Sequence, residues 1–357
     1  MALDGNAIVY CEGFFGTTNG KTAHGLVRRT RRYDVLALVD SRHAGKDAGT
    51  VLDGKESGIR ITATLADAVD TCKAMGKPAK YFVNGITPDG GAVSPETRKA
   101  VAKALDLGLN VDSGAHDFLS DDPALAKLAA SKGLAIRDVR KTPPRSELHF
   151  FSGKIEEVKS LKVAMLGTDS ASGKRTTAWI LVEALEKAGF KAEMIGTGQT
   201  AWMQGARYGI ILDSLINDFV SGEIEHAVWS AWKESKPDII VIEGQGSLLN
   251  PAYPGGFEIL AAGRPDVILM QDTPARKEYD GFPGYKMHDL KTQIKAVEFI
   301  SQKPVIGIAV NHEDIPAKDI PKTVARISKS VALPACDPLT QGADILVDAL
   351  RPYLKKR

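Results

Sequence analysis

The chain has 357 residues, which is enough for two domains that each bury a hydrophobic core. Its 46 basic and 44 acidic residues leave a net charge of +2, so bulk charge gives no support to nucleic-acid binding. Three widely spaced cysteines fit neither a disulfide framework nor a zinc site, so we expect a cytoplasmic protein. No run approaches the ~18 apolar residues of a membrane span, so we expect no membrane binding.

In the first half, short runs rich in Val and Ile alternate with helical stretches, the pattern of a parallel sheet covered by helices. It predicts strands at residues 7–11, 35–39, 80–83, 109–111 and 135–139. Helices are predicted at 94–107, where Ser94 caps a first turn containing Pro95, and at 123–132. Two adjacent prolines at 143 and 144 then interrupt both patterns, which predicts a Rossmann-like α/β domain over residues 1–145.

The second half repeats the alternation and predicts a second doubly wound parallel-sheet domain over residues 146–357. Its predicted strands are 162–167, 192–195, 238–242, 267–270 and 305–310. Its predicted helical regions are 174–187, 212–233, 289–301 and 344–354.

A glycine-rich stretch between the strand at 162–167 and the helix at 174–187 has the context of a phosphate loop. Backbone N–H groups and the helix N-terminus of such a loop converge on phosphate oxygens, and a lysine adds a full positive charge. This predicts a P-loop NTPase-like domain. The residues expected to bind the phosphates are Gly167, Thr168, Asp169, Ser170, Ala171, Ser172, Gly173, Lys174, Arg175 and Thr176.

Two departures from the common phosphate loop bear on its ligand. Five residues separate Gly167 from Gly173 where four are usual, a longer loop that resembles the loop of dethiobiotin synthetase. Arg175 stands where the Ser or Thr that contacts Mg²⁺ is usual, and Thr176 lies one position later on the helix. A second cation in place of a metal ligand favours a nucleotide bound without metal, such as coenzyme A, although Arg175 could equally point to solvent.

The strand at 238–242 delivers an acid, Glu243, to the carboxyl edge of the sheet, where open α/β sheets bind their ligands. Glu243 could hold a metal through water or accept a proton from an attacking amine, or it could cap the following turn. Gly244 and Gln245 follow it and are predicted to contact the ligand. A third segment, residues 196–205, also follows a strand: either it is a ligand-facing loop whose Gln199 contacts the cofactor, or it is a plain turn with a packed Trp202.

The N-terminal half lacks the G-x-G-x-x-G fingerprint of dinucleotide-binding folds, so we do not expect NAD. Lys21 and Thr22 open the first helix at the carboxyl edge of the sheet and could bind a carboxylate. Ser113 and His116 follow another strand there, as a ligand contact and a candidate base. Arg28, Arg29, Arg31 and Arg32 are expected to form a solvated basic helix end.

Taken together, these motifs resemble a bacterial and archaeal family first catalogued as a domain of unknown function. The resemblance rests on the Rossmann-like first half, the joint at 142–145, the phosphate loop, and the segments at 196–200 and 243–247. Some members of that family, the DgcN-like proteins, are D-glutamate N-acetyltransferases.

The resemblance implies acetyl-CoA as the acetyl donor and D-glutamate as the acceptor, with no metal, in the first step of D-glutamate catabolism, ahead of a dehydrogenase acting on the N-acetyl product. It implies that the loop holds the donor's pyrophosphate, that Lys21 holds the acceptor's side-chain carboxylate, and that Glu243 or His116 is the base. The oligomeric state stays open, and a homo-oligomer is possible. Two other functions stay open: an ATP- and Mg²⁺-dependent ligase or kinase of a small acid, and a non-catalytic nucleotide sensor.

Overall fold

A computed structural model describes residues 3–354, and the chain folds into two compact units. Unit 1 runs up to Thr142 and also includes Gly198–Ala206. Unit 2 contains Pro143–Thr197 and the chain from Arg207 onward. The domain boundaries predicted from the sequence, 1–145 and 146–357, stay a prediction. The two compact units differ from these domains because residues 198–206 belong to unit 1.

Unit 1 is built on a six-stranded parallel sheet in the order β3-β2-β1-β4-β5-β6. The strands are β1 (Gly5–Tyr10), β2 (Tyr33–Val39), β3 (Arg60–Thr62), β4 (Tyr81–Asn84), β5 (Asn110–Ser113) and β6 (Ile136–Asp138). All five predicted strands are present, within two residues at each end. The three-residue β3 was not predicted.

Five helices connect these strands. They are α1 (Lys21–Arg28), α2 (Ala48–Asp53), α3 (Leu65–Ala74), α4 (Pro95–Asp106) and α5 (Pro123–Ser131). The start of α4 is as predicted, because the Ser94 hydroxyl accepts a hydrogen bond from the Thr97 amide and Pro95 occupies the first turn.

Unit 2 is built on a seven-stranded parallel sheet in the order β13-β12-β11-β7-β10-β8-β9. The strands are β7 (Leu161–Gly167), β8 (Ala192–Gly196), β9 (Tyr208–Gly209), β10 (Ile239–Glu243), β11 (Val267–Asp272), β12 (Val305–Val310) and β13 (Ala335–Cys336). Buried side chains fill β7, β10, β11 and β12 along their whole length, as expected for parallel strands covered on both faces. The predicted class, two doubly wound α/β domains, is confirmed.

The helices that follow in the chain complete the fold. They are α6 (Lys174–Lys187), α7 (Gln199–Met203), α8 (Asn217–Ser235), α9 (Gly256–Gly263), α10 (Leu290–Ser301), α11 (Ile320–Val331), α12 (Pro338–Gln341) and α13 (Asp344–Leu354). None of the helices within residues 3–354 is long and apolar enough to cross a membrane.

Helix α7 belongs to unit 1, where its tryptophan sits among arginines. The Arg32 guanidinium carbon lies 3.7 Å from the centre of the Trp202 ring, and that of Arg137 lies 5.2 Å away. Arg32 Nε also donates to the Trp202 carbonyl at 2.8 Å. The expectation that Arg32 is solvated is therefore wrong: the residue is buried because its flat guanidinium stacks on an indole.

Gly222 in α8 marks the point where the chain after the proline joint crosses that helix within unit 2. A Cβ atom at position 222 would lie 1.9 Å from the His149 carbonyl oxygen, which is a backbone atom and cannot rotate away. We expect Gly222→Ala to lower the free energy of unfolding by about 1–3 kcal/mol, although alanine favours helix over glycine. Thermal and urea unfolding measure this change.

The matched control is Ser221→Ala, which introduces the same side chain at the adjacent, half-buried position of α8. This variant should unfold at or slightly above the temperature of the parent protein, because alanine is the better helix former. Equal stability of the two variants would contradict the close packing of the crossing chain on Gly222.

Candidate functional site

The phosphate loop lies where the sequence predicts it, between the end of β7 at Gly167 and the start of α6 at Lys174. Strand β7 is hydrogen-bonded to β10 on one side and to β11 on the other. Two loop residues have left-handed backbone angles, Ala171 with φ 45° and Gly173 with φ 100°. Alternation of this kind turns successive amides toward one point and forms a nest for an anion.

Side chains from outside the loop hold its carbonyl groups. The Arg276 guanidinium donates to the carbonyls of Ser170, at 2.9 Å, and Ala171, at 3.4 Å. Nδ2 of Asn311 donates to the Ser172 carbonyl at 2.9 Å. Carbonyl oxygens repel an anion, so tying them to donors prepares the loop for phosphate.

A buried carboxylate, Asp169, joins the loop to two distant segments. It accepts hydrogen bonds from the amide of Ser170 at 2.7 Å, from Asn250 Nδ2 at 2.9 Å and from the amide of Asp280 at 2.9 Å. Its fourth donor is Arg276 Nη1, at 2.9 Å. Asp169 therefore anchors the loop to Asn250 and to the segment at 276–280, and its carboxylate oxygens are occupied by these hydrogen bonds instead of by a ligand.

Lys174 is the buried cation of the loop. Its ammonium group donates to the Asp169 carbonyl at 2.6 Å and to the Ser172 hydroxyl at 3.3 Å. Burial lowers the pKa of Lys174 to about 8, although the negative charges of Asp169 and Glu243 act in the opposite direction. Arg175 and Thr176 follow in the first turn of α6, and both are half-buried.

Glu243 ends β10 and is buried beside these cations. Its Oε2 accepts from the Thr197 amide at 2.8 Å, and the Thr197 hydroxyl in turn accepts from the Gln245 side-chain amide at 2.8 Å. Burial raises the pKa of Glu243, while the positive charges of Arg175 and Lys174 oppose that rise. Glu243 and Gln245 thus lie in unit 2 with the phosphate loop, and Gly244 donates its amide to the Met165 carbonyl.

The sequence reasoning missed a second acid at this edge. Asp272 ends β11 as Glu243 ends β10, and burial raises its pKa to about 6. The Thr168 hydroxyl lies 3.3 Å from Asp272 Oδ1. The signal was available, since the apolar run at residues 267–270 is followed two residues later by this acid. Arg276 and Asn311 gave no such signal, because their role depends on contacts across more than 100 residues.

In unit 1, Thr22 lies in a buried group of hydroxyls. Its Oγ1 is 2.8 Å from the hydroxyl of Thr87 and 2.6 Å from that of Thr200. Lys21, one residue earlier, is exposed at the start of α1. A cation on a helix N-terminus beside neutral hydroxyls suits a carboxylate ligand.

The other predicted residues of unit 1 follow β5. Ser113 is buried, and its hydroxyl accepts from the Ala115 amide at 3.3 Å. A Cβ atom on Gly114 would lie 2.5 Å from Cγ of Gln199, so Gln199 packs on this turn within unit 1. His116 is exposed, and its ring lies against Gly91. Gln199 therefore lies with the predicted acceptor residues.

Among residues 3–354, no three His, Cys, Asp or Glu side chains form a group that could hold a metal ion. Cys11, Cys72 and Cys336 are all buried, and burial raises their pKa values, which opposes a role as acyl carriers.

Family models match both halves of the chain. Residues 149–347 match the P-loop domain described as a domain of unknown function, DUF1611_C. Residues 41–142 match the Rossmann-like domain DUF1611_N.

Similar proteins cover most of the chain. A D-glutamate N-acetyltransferase of Tritonibacter scottomollicae is 31% identical over 289 residues, which is 79% of this chain and 84% of that protein. A second, from a Pseudoalteromonas species, is 28% identical over 77% of this chain and 82% of its own length. The crystal structure of a DUF1611 family protein from Anabaena variabilis superposes with a TM-score of 0.89 at 27% identity, covering 98% of this chain and all of that one.

Asp169 and Glu313 bind the same guanidinium, which allows a matched test of the anchor. Asp169 is fully buried, whereas the Glu313 side chain is 41% exposed. We expect Asp169→Asn to lower the free energy of unfolding by about 2–4 kcal/mol, because it leaves a buried arginine and a buried donor poorly paired. Glu313→Gln should cost less than about 1 kcal/mol, because solvent screens that pair. Equal losses in urea unfolding would rule out Asp169 as the anchor.

The pKa of Lys174 predicts how anion binding depends on pH. An ammonium group attracts phosphate, and that of Lys174 loses its proton as the pH rises through about 8. Calorimetry with inorganic pyrophosphate should therefore show affinity falling above pH 8, approaching about tenfold per pH unit. Lys174→Arg, which stays charged, is the control for titration of pyrophosphate itself. A parallel pH profile in both proteins would contradict the assignment.

Proposed function

The chain belongs to the DUF1611 family, and from this premise we propose that it is an N-acetyltransferase that moves the acetyl group of acetyl-CoA to the amine of D-glutamate. Two relatives that carry the name D-glutamate N-acetyltransferase support the proposal. The structural observation that carries it is the phosphate loop, with its carbonyls tied back and with Arg175 where a metal-binding hydroxyl is usual.

The two units divide the proposed recognition between them. The loop of unit 2 binds the pyrophosphate of acetyl-CoA through its backbone amides, Lys174 and Arg175. Lys21 and the N-terminus of α1 in unit 1 bind the side-chain carboxylate of glutamate, with Thr22, Ser113 and Gln199 as polar contacts. The division is supported by the membership of each residue set in one compact unit.

Glu243 is assigned to the donor end of the reaction. The positive charges of Arg175 and Lys174 act to lower the pKa of Glu243, so its carboxylate lies near these two cations. In acetyl-CoA, the long pantetheine arm separates the pyrophosphate from the thioester. A carboxylate at the pyrophosphate end orients the two cations. This leaves His116, an exposed imidazole in unit 1, as the base of the proposed mechanism.

The proposed reaction is a direct transfer. The neutral amine attacks the thioester carbonyl, so that a C–N bond forms and the C–S bond breaks. His116 takes the proton lost from the amine, and coenzyme A leaves as a thiolate that is then protonated to the thiol. No covalent enzyme intermediate is needed, in keeping with the three buried cysteines.

Thiol release from acetyl-CoA tests this function. Purified protein with D-glutamate, without ATP or added metal, should release coenzyme A, and L-glutamate in parallel should not support release. If neither isomer gives thiol while ATP, Mg²⁺ and a small acid yield ADP, the protein is instead a ligase or kinase.

Matched variants connect the activity to the residues. Lys174→Ala should abolish release at ordinary donor concentrations, whereas Lys187→Ala, at the exposed far end of the same helix, should leave it unchanged. His116→Asn should lower kcat by roughly a hundredfold or more with the KM for acetyl-CoA unchanged. Full activity of His116→Asn would return the role of base to Glu243.

A further inference from the structure

Beside the phosphate loop, three aromatic side chains form a cluster that the mechanism does not use. The aromatic cluster is Tyr253, Phe282 and Tyr285. The Phe282 ring centre lies 6.0 Å from that of Tyr253 and 6.4 Å from that of Tyr285, both in edge-to-face geometry. Tyr253 is 54% exposed and Tyr285 is 59% exposed, so the cluster offers solvent a wall of aromatic surface.

The same anchor that fixes the loop holds both sides of the cluster. Asn250 donates to Asp169 through Nδ2, and its Oδ1 accepts from the Tyr253 amide at 2.9 Å. On the other side, the Asp280 amide donates to Asp169, and Phe282 and Tyr285 follow within a tight turn. The aromatic cluster and the anion nest are therefore connected through Asp169.

We infer that the aromatic cluster binds the pantetheine arm of the donor whose pyrophosphate occupies the loop, an inference that rests on the proposed function. The arm is one of two groups that leave the pyrophosphate of coenzyme A. It is uncharged, and although it carries two amide groups and a hydroxyl, its geminal methyl groups and methylene chain suit packing against exposed aromatic rings.

The other group that could contact the aromatic cluster is the adenosine of coenzyme A, and it differs from the arm in charge. Asp280 stands two residues before Phe282 in the chain, and its carboxylate accepts a hydrogen bond from the Ser170 hydroxyl of the loop at 3.3 Å. The adenosine of coenzyme A carries a 3′-phosphate, which a neighbouring carboxylate repels. The uncharged arm is not repelled by this carboxylate, so we expect pantetheine rather than adenosine to contact the aromatic cluster.

Titration calorimetry with two ligands tests the assignment. One ligand is coenzyme A, and the other is adenosine 3′-phosphate 5′-diphosphate, which keeps the phosphates and lacks the arm. We expect the double variant Tyr253→Ala/Tyr285→Ala to weaken binding of coenzyme A about tenfold and to leave binding of the fragment unchanged. Phe282→Ala should act in the same way.

Two controls accompany these variants. Phe299→Ala removes an aromatic side chain of α10 that is 79% exposed and should leave both affinities unchanged. Tyr253→Phe/Tyr285→Phe keeps the rings and should retain the affinity of the parent protein for coenzyme A. Because both tyrosine side chains are exposed and their backbone hydrogen bonds remain, the alanine variants should fold, which thermal unfolding verifies.

The outcomes separate this inference from the proposed function. Unchanged affinity of the alanine variants for coenzyme A, or equal weakening of both ligands, overturns the pantetheine assignment while leaving the acetyltransferase intact. Failure of the parent protein to bind either ligand overturns the proposed function and the inference together.

Discussion

Four hydrogen bonds end on the carboxylate of Asp169, and they come from the loop itself, from Asn250 and from the segment at 276–280. A fully buried carboxylate is costly unless its oxygens are satisfied, and here donors from every side offset that cost. Arg276 also binds two carbonyls of the loop, so the ion pair that neutralises Asp169 sets the backbone conformation of the loop. The conformation of the loop in unit 2 therefore depends on the ion pair between Asp169 and Arg276, which forms within the protein itself.

Burial shifts the pKa values of three ionisable groups around the loop, and a bound anion would also shift them. Burial lowers the pKa of Lys174 and raises those of Glu243 and Asp272, so desolvation moves all three groups toward their uncharged forms. A bound pyrophosphate favours the ammonium form of Lys174 and disfavours a carboxylate nearby. Under the proposed function, binding of the donor would therefore change the number of protons bound at the site, which links its affinity to pH.

The sequence predicted the elements whose signal is local. Helix α6 has the predicted bounds, because a strand, a glycine-rich turn and a helical repeat follow one another without interruption. The association of Gln199 and Trp202 with unit 1 could not be predicted, because it depends on partners such as Arg32, about 170 residues away in the chain. Asp169 shows the same limit: its place in the loop was predicted, but its role as anchor depends on Arg276.

The two sheets use the first helix after their first strand in different ways. In unit 1, the amide of Ala23 in α1 donates to the Gly85 carbonyl at 3.2 Å, and the Thr22 hydroxyl is held by Thr87 and Thr200. A Cβ atom on Gly85 would lie 2.8 Å from that of Ala23, so this glycine serves the packing of helix on strand.

In a dinucleotide-binding fold, the pyrophosphate lies at this helix N-terminus. Here the Ala23 amide in the first turn of α1 donates to the Gly85 carbonyl, whereas in unit 2 the carbonyls of the loop before α6 are held by the side chains of Arg276 and Asn311. The Rossmann-like strand order alone would suggest nucleotide binding in unit 1. The local hydrogen bonds argue that the anion nest of this protein is in unit 2.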